Sequence, residues 1–117
     1  MKKKTNKDQQ ENYLERKPKR HEAIAWAKDE KGIVTLDIEN IGFFNRLAQK
    51  FFHKPKVTHI HLDEMGSFVW PIMDGEKDII AIGKEVEEQF GEKANPLYER
   101  LAKFFQVLDS YHFITWN

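Results

Sequence analysis

Two histidines stand at alternate positions, His59 and His61, in the run Val57-Thr58-His59-Ile60-His61-Leu62, and two carboxylates, Asp63 and Glu64, follow directly. Alternate residues of a strand point to one side, so the imidazoles share a face. Imidazole with carboxylate oxygen is a donor set that divalent metals accept. The spacing is common in ordinary strands, however, and the carboxylates come only after the strand. The reading taken is that the Ile60/Leu62 face is buried and that His59 and His61 face solvent or a partner, with no metal. The chain has no cysteine, which excludes disulfides, thiolate metal sites, iron–sulfur clusters and cysteine nucleophiles. Ser67 falls at a helix start and Ser110 at a helix end, the five histidines are scattered, and no nucleophile has an orienting base in the pattern. No catalytic residue and no cofactor is expected, and the chain is read as non-enzymatic.

The elements that must position the histidines are legible from periodicity. Residues 23–27, AIAWA, read as a strand, Asp29-Glu30-Lys31-Gly32 has turn chemistry, and Val34, Leu36 and Ile38 alternate with Thr35, Asp37 and Glu39; together they make a hairpin with one buried face. Residues 43–52 repeat Phe43, Leu47 and Phe51 at helical spacing, with Arg46, Lys50 and Lys54 on the polar side, so a short helix stopping before Pro55 is expected to cover one face or end of the sheet. Residues 57–62 are the third strand. After Asp63 as N-cap, Met65, Phe68, Val69, Ile72 and Met73 repeat as a helix that Pro71 should kink. A second helix starts at Asp78, buries Ile79, Ile82, Val86 and Phe90, and ends at Gly91. A third takes Asn95 as N-cap and Pro96 as first residue and buries Leu97, Leu101, Phe104, Phe105 and Leu108. Residues 113–116 close as a short strand.

At 117 residues, 40% hydrophobic and 32% charged, the chain is sized for one domain. Its zero net charge hides an asymmetry: residues 1–20 hold eight Lys/Arg against three Asp/Glu, the remainder eleven against sixteen. With only Met1, Tyr13 and Leu14 as sizeable apolar groups, residues 1–20 cannot bury enough surface to offset their ordering entropy and are read as a disordered basic tail ahead of a domain at 21–117. No apolar run approaches the ~18 residues that span a bilayer, and no apolar segment follows the N-terminal lysines as in a signal peptide. The expectation is a cytoplasmic protein with no membrane partner.

The order strand, strand, short helix, strand, three helices, short strand is α+β and winged-helix-like: a small antiparallel β-sheet of about three strands plus a three-helix bundle, with a helical insert at 42–54 before the third strand. Within it, Leu62-Asp63-Glu64-Met65-Gly66-Ser67-Phe68-Val69-Trp70, followed by Met73-Asp74-Gly75-Glu76-Lys77-Asp78-Ile79, resembles the PqqD family. The family pattern is a strand ending in Leu-Asn, a helix start with an alcohol or Gly, an apolar helix, Asp-Gly, two variable residues, a capping Thr and an aliphatic residue. The resemblance runs over about residues 24–114. Asp63 stands where Asn is usual and Asp78 where Thr caps, both keeping the capping chemistry. The insert and the lack of a Gly after the third helix are further departures.

This resemblance implies a peptide chaperone, or recognition element, for ribosomally made and later modified peptides: it holds a precursor's leader peptide and presents it to a modifying enzyme, often a radical S-adenosylmethionine protein. The device it implies is β-augmentation, an extended leader adding to a free sheet edge. Carried over by residue, Val57, Thr58, His59, Ile60 and His61 would be the main-chain partners, and Leu97, Arg100, Leu101 and Phe104 of the third helix the groove candidates. The edge could instead pair with a second copy as a homodimer. Two other classes compete. A winged-helix DNA-binding domain would need a basic recognition helix, yet the third helix sets Arg100 and Lys103 against Glu99 and Asp109, and the second carries Glu85, Glu87 and Glu88, with Glu92 just beyond its end. Nucleic acid is therefore not the expected partner. A protein-interaction module with another ligand is the remaining alternative.

Overall fold

A computed structural model describes residues 13–39 and 57–117; the expected helix at 43–54 and the first twelve residues of the expected tail lie outside them. The chain divides into two compact units, one of residues 22–67 and one of residues up to 21 together with 68–117.

The unit of residues 22–67 is a three-stranded antiparallel sheet in the order β2-β3-β4, with β2 at Ala25–Lys28, β3 at Val34–Glu39 and β4 at Val57–His61. The β2–β3 turn is built by Asp29. Its Oδ1 accepts from the backbone N–H of Lys31 (2.8 Å) and Ile33 (2.9 Å), and Gly32 takes φ +86°, a conformation that costs glycine nothing. Ala25 faces Asp37 and Lys28 faces Val34 across the hairpin. Val34 and Leu36 are fully buried, as the alternation predicts. Asp63 then caps α1 (Glu64–Val69), its Oδ1 accepting from Gly66 N–H at 2.7 Å.

The other unit begins with β1, Pro18–Arg20, paired antiparallel with β5, Ile114–Trp116. Composition predicts an unstructured tail to residue 20; in the structure the last three of those residues are a strand, and Pro18 is buried. The cause is non-local bonding that composition does not reveal: Pro18 C=O accepts from Gly75 N–H, Arg20 N–H donates to Met73 C=O, and Asn117 N–H donates to Lys17 C=O. The Arg20 guanidinium also donates to the carbonyls of Trp70 (3.2 Å), Pro71 (2.6 Å) and Met73 (3.1 Å). These belong to the 3-10 turn Trp70–Ile72 and the residue after it, the place where Pro71 breaks the α-helical ladder. Upstream, the Arg16 guanidinium lies 4.1 Å from the Trp116 ring centre, and burial pushes the Tyr13 hydroxyl up to about 12.

Helix α2, Ile79–Phe90, starts on Asp78, whose Oδ1 accepts from Ala81 N–H at 2.8 Å, and stops at Gly91 with φ +59°. Helix α3 is Leu97–Ser110. Pro96 is expected as its first helical residue; instead Pro96 is the cap itself, extended, with its carbonyl accepting the first helical bond from Arg100 N–H, while Asn95 N–H turns back to Glu92 C=O. Ile79, Ile82, Val86, Leu97, Leu101, Phe105 and Leu108 are buried; Phe90 and Phe104, expected inside with them, are half-buried. The helices touch closely where Gly83 meets Tyr98: a Cβ at residue 83 would lie 2.7 Å from the ring.

The architecture is thus α+β, with a three-stranded antiparallel sheet and three helices as expected, and a second sheet, β1–β5, that the sequence pattern does not announce.

Candidate functional site

Strand β4 pairs with β3 on one side, and among the described residues no strand lies on its other side. Main-chain parity decides what that side offers. In antiparallel pairs, residues that exchange hydrogen bonds alternate with residues whose N–H and C=O point away. Leu62 N–H donates to Val34 C=O at 2.9 Å, and the register continues as Ile60 opposite Leu36 and Thr58 opposite Ile38. Even residues of β4 therefore bond β3. Odd residues, Val57, His59 and His61, turn their main-chain groups to the open edge. The hairpin gives the same parity independently, since Asp29 N–H donates to Ile33 C=O, leaving the odd residues of β3 to β2.

The last rung of the β3–β4 ladder is completed by a side chain. Val34 N–H donates to Ser67 Oγ at 2.8 Å, and the Ser67 hydroxyl donates to Leu62 C=O at 3.3 Å. Ser67 is 1% exposed. A hydroxyl both accepts and donates, so it bridges a buried N–H and a part-buried carbonyl of facing residues. The Asp63 cap brings Ser67 round through the first turn of α1, Ser67 N–H donating to Asp63 C=O, so the serine of the 62–70 motif secures the strand's end.

Side chains of the odd residues share one face of the sheet with Thr35 and Asp37. His59 Nδ1 lies 2.6 Å from Asp37 Oδ1 and can donate to it, and His61 Nδ1 shares a hydrogen bond of 2.7 Å with the Thr35 hydroxyl. Both histidines are exposed, as is Val57, while Ile60 and Leu62 on the other face are half-buried. Among the described residues, no group of three or more His, Cys, Asp or Glu could hold a metal ion.

The α3 residues singled out from sequence divide sharply. Leu97 and Leu101 are buried. The Arg100 guanidinium donates to Lys93 C=O at 2.7 Å. Phe104 is half-buried, its ring edge-on to Phe105 at 5.5 Å. The sequence reading missed the continuation of this face: Val107 is 45% exposed and Tyr111, just beyond the helix, 64%. The signal was present. Phe104, Val107 and Tyr111 repeat at i, i+3 and i+7 beside the stripe Leu97, Leu101, Phe105 and Leu108, and the stripe that fills the core leaves the second one outside it.

The chain is a small α+β protein whose three-stranded sheet ends, among the described residues, in a strand paired on one side only. Residues 32–114 match the family described as Coenzyme PQQ synthesis protein D (PqqD), and the chain belongs to that family, an accessory, peptide-binding one rather than a catalytic one. The match takes in β3, β4, all three helices and the start of β5. No match is found among curated proteins or among solved structures. No helix of the described residues is long and apolar enough to cross a membrane.

Proposed function

We propose that the chain holds the leader of a ribosomally made precursor peptide by strand addition at β4 and presents it, in the cytoplasm, to a modifying enzyme, a radical S-adenosylmethionine protein being the partner the family resemblance implies. The observation that carries the reading is the set of main-chain groups on Val57, His59 and His61 that face away from β3, in a chain whose family is peptide-binding. An extended peptide satisfies such groups without requiring any one side chain, and takes its specificity from alternate side-chain contacts. Thr58 and Ile60 belong to the site through those side chains, their own main-chain bonds being committed to β3. On α3, Phe104 is the groove candidate with surface left to offer; Leu97 and Leu101 support the helix from within, and Arg100 is engaged by Lys93.

A displayed library of short random peptides, selected on the full chain, tests this reading. Enriched peptides should shift the amide resonances of residues 57, 59 and 61 first. Enrichment of nothing, or shifts confined to α2, would contradict it. Duplex DNA should bind weakly even at low salt, without the steep salt dependence of roughly 0.9 log units per phosphate neutralised, because Glu87 and Glu88 are exposed on α2.

A further inference from the structure

The two faces of β4 differ in chemistry, and an added strand must lie along both. We propose, resting on strand addition at this edge, that the ligand is an extended peptide alternating acidic and apolar residues, with an acidic side chain beside His61 and an apolar one beside Ile60. Cross-strand neighbours share a face. Peptide residues opposite His59 and His61 therefore project on the face of Thr35 and Asp37, and the residue between them projects on the face of Ile60 and Leu62.

On the first face the two histidines are not equivalent. His59 already has Asp37 at 2.6 Å. His61 is held by the Thr35 hydroxyl instead, and among the described residues no carboxylate lies within ion-pair distance of it. Among the described side chains, the charged and titratable groups on its face of the sheet are His59 and Asp37, and beyond the strand's end come Asp63, whose carboxylate accepts from Gly66 N–H, and Glu64; the β2 residues on this face, Ala25 and Ala27, carry no charge. A peptide carboxylate beside His61 thus supplies a partner that the chain itself does not. On the second face Ile60 and Leu62 are half-buried beside fully buried Val34 and Leu36, so an apolar side chain extends the covered surface. A second copy pairing through β4 would instead set imidazoles against imidazoles, which repel once protonated.

The test uses the isotope-labelled full chain and two synthetic probes of equal length, one alternating valine with glutamate and one alternating valine with lysine, titrated at about pH 7.5 and 5.5, a window in which imidazoles as a class gain a proton while glutamate stays ionised. The valine–glutamate peptide should shift the amides of residues 57, 59 and 61 and bind roughly two- to fivefold tighter at the lower pH, the gain expected of one exposed ion pair. In His61→Gln that gain should vanish with binding at pH 7.5 retained, whereas His59→Gln should keep it. Equal binding of both peptides at β4 at both pH values overturns the acidic preference and leaves strand addition standing. Shifts by neither peptide at β4, or a dimer through β4 that neither displaces, overturn strand addition and this inference with it.

Discussion

Strand β1 is three residues long and bonded on both sides, to β5 and to the turn at residues 73–75, whereas β4 is five residues long and bonded to a strand on one side among the described residues. In the first case even the flanking groups are tied off: Gly75 N–H goes to Pro18 C=O, the Asn117 side-chain amide donates to Gly75 C=O at 2.7 Å, and Arg20 covers three carbonyls. In the second, Ser67 completes the inner ladder and nothing described completes the outer one. An open edge is normally a liability that proteins blunt. Here the β1–β5 sheet is tied off on both sides, while β4, its inner ladder secured, carries outward main-chain groups that nothing among the described residues takes up.

That contrast is broken first through the core of the sealed region. Phe105 is fully buried, and Phe105→Ala should cost about 3–5 kcal/mol in urea unfolding, a large share of what holds a domain of this size. A loss below about 1 kcal/mol would mean that α3 is not the centre of that unit's packing.

Next comes the hydroxyl that secures β4. Ser67→Ala leaves the buried Val34 N–H without its acceptor and the part-buried Leu62 C=O without its donor, and a loss of about 1–3 kcal/mol is expected, with faster amide exchange at Val34. Unaltered stability would show that the ladder's last rung does not depend on it.

A smaller effect, opposite in sign, sits at the end of α3. His112 takes φ +63°, with its N–H on Asp109 C=O and Phe113 N–H on Leu108 C=O, a helix stop that glycine normally fills. Where the family resemblance puts a glycine after the third helix, this chain has His112 in the left-handed conformation. His112→Gly should raise stability by about 1 kcal/mol in thermal melts, where α2, which already ends on Gly91, has no such gain to offer.

The smallest effect is pH-dependent. The N–H groups of Glu76 and then Lys77 hold the Asp74 carboxyl below its usual range. A group depressed in the folded state stabilises above its unfolded value of 3.8 and loses that contribution as the pH falls through the folded value. Asp74→Asn should therefore lower the urea midpoint near neutrality, where the carboxylate's contribution is fully present, and the gap to the unaltered chain should close as the pH falls below about 4.

Much of this is legible in the sequence. Asp29 with Gly32 specified the hairpin, Asp63 and Asp78 specified two helix starts, and the stripes on α2 and α3 identified the core, because each is a local device with its own residue chemistry. The sheet β1–β5 was hidden, since strands of three residues show no period and their pairing spans the chain. Ser67 looked like an ordinary helix-start alcohol; its bridging role depends on where Val34 arrives. Side-chain alternation also told which residues of β4 share a face, but not which of them bond to β3. That second parity came only from the register, and it turns the strand into a sharp test.

The most direct measurement compares Thr58→Pro with His59→Pro, using a selected or valine–glutamate peptide and amide resonances as the readout, with His59→Ala separating the side chain from the donor. Proline removes one N–H. At residue 59 that N–H faces the open edge, so the variant should stay folded and lose most of an affinity near ~1 μM, about −8 kcal/mol, while His59→Ala keeps the larger part of it. At residue 58 the lost N–H belongs to the β3–β4 ladder, and the sheet itself should loosen. If His59→Pro stays folded and binds the peptide as tightly as the unaltered chain, with the same resonances shifted, strand addition at β4 is wrong.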